Sequence, residues 1–403
     1  MEKKNKIVNA VVTGLFLLLI FGFGIAFWAV PDREFSEEEN RVLQEFPSLS
    51  VEGWLDGSVS ADLTDYYSDQ FPLRTAWVNL HALAELGRGC GEASGVLYGA
   101  NGQLAVRRFD MYVSRTERAH TDYPSAAHVQ NGLDALVHLQ ETLDAAGVPL
   151  TVLLAPRTID VTAADFAYPS ILSDRLDAAI RNRFAGTAAG TAVNSVELLA
   201  EFRARHNAGE YVYYRTDHHW TTAGAYVAYT AVMDSFGMAE ETLPADFFTV
   251  RTVEGFYGTT HSRAGLFFVA PDTLEIWEAA DGSDARFRVC DEKGNAVTDR
   301  GFYSEKYLSE KDKYSVFLGG THRLLTITDT VAAGNRPRLL LARDSFANSM
   351  VPFLARHFDI VMVNLSGGMT NLSALAREYG CNRVLVVANR ENLITSDCFA
   401  AIQ

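Results

Sequence analysis

The segment Arg338-Leu339-Leu340-Leu341-Ala342-Arg343-Asp344-Ser345-Phe346-Ala347-Asn348 joins an apolar run to a predicted helix start, with one hydroxyl at the junction. A continuous apolar run of this length suits a strand whose two faces are both covered by helices, because neither face meets water. Ile360 to Asn364 and Val384 to Ala388 repeat the pattern downstream. Upstream, the run Leu150 to Ala155 lies between helix candidates at Val129 to Ala146 and Asp174 to Phe184. A strand candidate at Tyr211 to Arg215 and a helix at Ala223 to Phe236 follow. From about Tyr112 the rhythm is therefore βαβ, which predicts a mainly parallel sheet.

Residues 245–335 interrupt that rhythm. The alternating runs Phe247 to Val253, Thr273 to Trp277 and Phe287 to Cys290, with a turn at Glu292-Lys293-Gly294, read as hairpins. The stretch is expected to be an insertion placed to roof a cleft.

Two segments carry chemistry. Thr216-Asp217-His218-His219-Trp220 follows a predicted strand, and Arg343-Asp344-Ser345 ends another. Ligands of open α/β sheets bind at the carboxyl ends of strands, so both segments can face one crevice. A serine hydroxyl needs a base to take its proton, and a histidine serves best when a carboxylate fixes its tautomer. Ser345 as nucleophile, His219 as base and Asp217 as orienting acid supply the three types. Ser345 at a helix start also offers backbone N–H groups to a developing oxyanion.

Each residue has a plainer reading. Asp217 beside Arg215 suits a surface ion pair or a helix cap, and Ser345 suits an N-cap. His218 reads as a packing histidine. Trp220 is placed to stack on a sugar ring, although a Trp at a helix start is more often core. Arg157, after Pro156, and Arg343 are candidates to hold an anionic group, against the commoner ion-paired outcome.

The string Tyr214 to Trp220, with Ala342 to Asn348 downstream, resembles the bacterial DHHW protein family and is similar to the SGNH-like alginate O-acetyltransferases. Glu39-Asn40-Arg41, the block Tyr66 to Arg74, Gly95-Val96-Leu97-Tyr98, Phe256-Tyr257-Gly258-Thr259 and Phe317-Leu318-Gly319-Gly320 extend the resemblance over nearly the whole exported part. It implies an Asp-x-His pair at Asp217 and His219 and a nucleophile at Ser345, with Arg343 standing where the family commonly shows Gly or Lys. Acid and base preceding the nucleophile implies a circularly permuted SGNH sheet. In that sheet the strands after the serine end in an oxyanion Gly and an oxyanion Asn, which implies Gly367 or Gly368 and Asn389. The implied activity is O-acetylation or deacetylation of a cell-surface or exported polysaccharide, with a multispanning acyl-supplying membrane protein as partner.

Ile7 to Val30 is free of charge, and at ~1.5 Å per residue it spans about 36 Å as a helix, enough for a bilayer. Lys3, Lys4 and Lys6 precede it, while Asp32, Glu34, Glu37, Glu38 and Glu39 follow with only Arg33 among them. The bias predicts a cytoplasmic tail and an extracytoplasmic body. Phe27-Trp28-Ala29-Val30-Pro31 offers no small-residue cleavage site, which favours an uncleaved anchor over a signal peptide. Trp54, Leu63, Tyr66, Tyr67, Phe71, Trp77, Leu80 and Leu83 then recur at helical spacings, with a break at Phe71-Pro72, as in a membrane-proximal collar.

The formal charge is 35 − 50 = −15, with no later Lys/Arg run, which argues against nucleic acid as partner. Cys90, Cys290, Cys381 and Cys398 have no zinc spacing, so no metal or cofactor is implied. A Cys381–Cys398 disulfide is permitted outside the cytoplasm, and small buried hydrophobes is the other reading.

The expected fold is α/β, an SGNH-hydrolase-like three-layer sandwich in circularly permuted order with a β-rich insertion, preceded by one transmembrane helix and a helical collar. The expected divisions are 1–30 for tail and anchor, 31–110 for the collar and 111–403 for the catalytic domain. The competing function is a non-catalytic envelope scaffold or glycan-binding protein that retains the fold.

Overall fold

A computed structural model describes residues 2–36, 38, 41–107, 126–167, 173–186, 192–332, 334, 336–368 and 370–402. Glu37, Glu39 and Asn40 of the acidic run and its motif, and the expected start of the βαβ rhythm at Tyr112, lie outside the described residues. The chain divides into two compact units, 1–94 with 262–267, and 95–261 with 268–403.

The first unit opens with helix α1 (Glu2–Ala29). Its stretch Asn5–Ala29 is long and apolar enough to cross a membrane. Three helices follow, α2 (Val51–Asp56), α3 (Ser58–Asp69) and α4 (Arg74–Gly87), with Phe71-Pro72 in the break between the last two. Two of the quoted motifs meet here. Arg41 Nη1 donates to Asp69 Oδ2 at 2.8 Å, and the backbone N–H of Gln44 donates to the same oxygen at 2.9 Å. A buried carboxylate is thus satisfied by charge and by backbone, as burial demands.

In the second unit, strands β1 (Val96–Tyr98) and β2 (Leu104–Val106) pair antiparallel. Beyond them come α5 (Ala126–Ala145), β3 (Leu150–Ala155), α6 (Ser173–Phe184), α7 (Leu199–Asn207) and α8 (Thr222–Ser235). Strands β4 (Phe248–Phe256), β5 (Asp272–Ala279), β6 (Phe287–Asp291), β7 (Leu324–Asp329), β8 (Arg338–Arg343) and β9 (Asp359–Asn364) follow. Helix α9 (Leu372–Glu378) and β10 (Arg383–Asn389) complete the set used below.

The main sheet has the order β3-β10-β8-β9-β7-β6. Its first four strands are parallel, and β7 and β6 are added antiparallel. Strand β8 sits inside the parallel part, with Arg343 level with Asn364 on one side and Val387 on the other. Side chains alternate between two apolar layers. Leu339 and Leu341 join Tyr229, Val232 and Phe202 of α8 and α7. Leu340 and Ala342 face Leu133, Leu136, Ile180 and Ala376 of α5, α6 and α9. Both faces are covered, so the uninterrupted apolar runs have a physical cause.

Two expectations are corrected. Tyr211 to Arg215 forms no strand of the sheet. Tyr213 makes an isolated bridge with Trp220, and Arg215 O accepts from Leu104 N at 2.8 Å, so its backbone groups are taken up by a fold-back. The stretch 245–335 is only in part a separate insertion. Hairpin β4–β5 stands by itself, while β6 and β7 extend the main sheet. Cys381 and Cys398 form no disulfide with each other and are buried in the apolar layer of α5.

Candidate active site

Strand β8 delivers its C-terminal residue Arg343 to the sheet edge, and Asp344 turns the chain there. Its Oδ1 accepts from Phe346 N at 2.9 Å, capping the short 3-10 helix Ser345–Ser349. Its Oδ2 accepts from Asn389 N at 2.6 Å and from Asn392 Nδ2 at 2.8 Å, which ties this turn to the one after β10. Burial pushes the Asp344 carboxyl up, against those donors. Among the described residues, the backbone N–H of Ser345 donates to no acceptor.

The second segment is the fold-back ahead of α8. Thr221 caps that helix, its Oγ1 accepting from Gly224 N at 3.1 Å. A Cβ on Gly224 would lie 2.3 Å from Val212 O, so glycine permits α8 to press against the fold-back. Asp217, two residues before His219, bends back on it. His219 N donates to Asp217 Oδ1 at 3.0 Å, and His219 Nδ1 stands 2.5 Å from the same oxygen. Asp217 Oδ2 accepts from Thr259 N at 2.8 Å and from Thr259 Oγ1 at 3.1 Å. Burial opposes its ionisation, yet the neighbouring imidazoles and these donors hold the carboxyl well below its ordinary value of 3.8.

The two segments meet. His219 Nε2 lies 2.7 Å from Ser345 Oγ, across 126 positions of sequence. With Asp217 ionised, the imidazole proton sits on Nδ1 facing the carboxylate, and Nε2 presents its lone pair to the hydroxyl. Such a chain can move a proton off Ser345 and hold the resulting imidazolium.

Of the other expected residues, Asn389 reaches this edge. Its N–H binds Asp344, and its Oδ1 accepts from Glu391 N at 2.7 Å. Arg343 is 1% exposed, its Nη2 lies 3.5 Å from His322 O, and burial lowers its guanidinium to about 10. Gly367 and Gly368 are exposed in the turn after β9, where Gly367 and Arg323 line a 230 Å³ cleft whose walls do not include Ser345. Trp220 is corrected: it has no exposed surface to stack on a sugar, and its Nε1 donates to Phe346 O at 3.0 Å. Arg157 is corrected too. It is 2% exposed, and its Nε and Nη2 are committed to Asp160 at 3.0 and 2.8 Å. His218 packs on His219 with ring centroids 3.8 Å apart, and its Nδ1 lies 2.7 Å from Thr259 Oγ1. Asp217, His218 and His219 offer ligand atoms within 4.8 Å of one another, but both nitrogens of His219 already serve Asp217 and Ser345.

Sequence reading missed three participants. Thr259 and Asp344 stood inside quoted motifs without a role. Tyr314, in the single turn Lys313–Val316, lies flat over His219 at 4.0 Å between ring centroids, and no spacing pattern announces it.

The sequence matches the DHHW protein family over residues 116–364. No curated protein matches it. A DHHW family protein of Eubacterium siraeum DSM 15702 is similar in structure, with a TM-score of 0.55 and 21% identity over 76% of this chain and 97% of that one. Bacillus cereus PatB1, solved with a sulfonyl adduct, aligns with a TM-score of 0.57 and 18% identity over 76% of this chain and 100% of that one. The O-acetyltransferase domain of Pseudomonas putida AlgJ gives 0.43 and 17% identity over 74% of this chain and 92% of that one.

Proposed function

Because the chain belongs to the DHHW family, whose match takes in both Asp217 to His219 and Ser345, we propose that it is a serine-dependent O-acyltransferase or acetylesterase with an SGNH-like site. The observation that carries this reading is the unbroken chain Asp217–His219–Ser345, with contacts of 2.5 and 2.7 Å.

Ser345 Oγ attacks the carbonyl carbon of an acetyl ester while His219 Nε2 takes the hydroxyl proton. Negative charge collects on the former carbonyl oxygen, and the backbone N–H of Ser345 is the donor this reading assigns to it. Collapse expels the alcohol, which receives the proton from His219. The acyl group then passes to a carbohydrate hydroxyl or to water, deprotonated by His219 in turn. Asp217 keeps Nδ1 protonated throughout. The sulfonyl adduct of PatB1 supports the reading, since such a group attaches to an activated nucleophile.

Helix α1 is the membrane anchor in this reading, with the charge bias at its ends leaving the rest of the chain extracytoplasmic. The substrate is a cell-surface or exported polysaccharide, and a multispanning membrane protein supplies the acyl group. The acid-base-nucleophile order fits a circularly permuted SGNH sheet.

The test is hydrolysis of p-nitrophenyl acetate by the purified chain and by Ser345→Ala. The proposal requires kcat to fall by at least ~10³-fold with the fold retained. Equal rates in both proteins would leave the non-catalytic envelope reading in its place.

A further inference from the structure

Tyr314 belongs to neither segment that supplies the proton chain, yet it touches both. Its ring lies over the imidazole of His219 with an interplanar angle of 8°. Its hydroxyl donates to Ser345 O at 3.2 Å and lies 3.2 Å from Ser349 Oγ. Tyr314 is 5% exposed, and burial pushes its phenol far up, so the ring is neutral wherever the enzyme works. Around the same imidazole stand Asp217 at Nδ1, the tilted ring of Phe346 at 4.9 Å and the ring of His218.

An aromatic face carries the negative lobe of the ring quadrupole. It attracts an imidazolium more than a neutral imidazole. In that reading His219 gains positive charge as it takes the Ser345 proton. The stack therefore strengthens as the reaction proceeds, which is the property that raises kcat and not merely affinity. Resting on the acyl-transfer reading above, we propose that Tyr314 is a positioning residue: its ring stabilises the imidazolium of His219, and its hydroxyl holds the backbone of the nucleophile turn against that base.

The experiment replaces Tyr314 in the full chain by phenylalanine, 3,5-difluorophenylalanine and 3,4,5-trifluorophenylalanine. These keep the ring's shape while draining charge from its face. The expected result is a stepwise fall in kcat for p-nitrophenyl acetate, reaching roughly 2- to 30-fold below the phenylalanine variant. KM and the thermal midpoint stay constant across the series. Tyr314→Leu falls below all of them in kcat. A kcat flat across the fluorinated series, or one that falls only together with the thermal midpoint, overturns the proposal. Ser345→Ala run alongside separates the two readings. Lost hydrolysis in that variant with a flat series removes only Tyr314's role, and retained hydrolysis removes the acyl-transfer reading with it.

Discussion

An asparagine at position 217 would keep the side chain's shape while turning one of its two acceptors into a donor. Asp217 Oδ1 faces His219 Nδ1 and Oδ2 faces Thr259, so one of these contacts must become donor against donor or the imidazole must change tautomer. Asp217→Asn is expected to lower kcat by about 10⁴-fold with KM little changed, read in steady-state kinetics on p-nitrophenyl acetate. A kcat within tenfold of the parent would remove Asp217 from the chain. At this scale the sequence was most legible as to which side chains meet, since Asp217, His219 and Ser345, singled out by residue type, stand in one chain of contacts. Tyr314 was illegible for the converse reason: a lone aromatic among short turns has no periodicity, and its place over His219 follows from packing. Trp220 and Arg157 misled because a side chain's type does not disclose its depth.

Elements must also stand where those residues need them. Gly258 passes so close to Asp217 that a Cβ would lie 2.2 Å from the Asp217 Cβ and 2.3 Å from its Oδ2. Gly258→Ala must therefore shift the carboxylate or the loop. It is expected to lower kcat by roughly 100-fold, the size of effect a shift of about 1 Å produces, while the protein remains folded by circular dichroism. Unchanged kinetics would mean that Asp217 can be displaced without cost. The parallel strands were readable because burial on both faces forces an uninterrupted apolar run. The run Phe287 to Cys290 of β6 read as part of a hairpin because alternation reveals which face is buried, and nothing in it names β7 as the partner strand. Tyr211 to Arg215 has strand-like composition, but its backbone groups are met by Leu104 and by its own fold-back.

Across the molecule, pH tests the same carboxylate through stability. The folded value of Asp217 is depressed, so its contribution is present above its ordinary value near 3.8 and is lost as pH falls through the folded one. The gap in thermal midpoint between the parent and Asp217→Asn is therefore expected to be widest near neutrality and to shrink below about pH 4. A gap independent of pH would contradict an ionised, satisfied Asp217. Asp344 acts in the opposite sense, since burial raises it and its cost is relieved in acid, so the gap and not the absolute midpoint is the readout. The anchor reading has its own test: the full chain should stay in the membrane pellet through an alkaline carbonate wash, and release into the supernatant would contradict it.

The most direct measurement is mass-spectrometric mapping of a fluorophosphonate adduct on the folded chain, with His219→Ala as comparison. A hydroxyl that hands its proton to His219 is labelled at Ser345 in the parent, and labelling there falls by orders of magnitude when the imidazole is removed. A folded parent whose Ser345 stays unmodified, or a label equally strong without His219, would contradict the account.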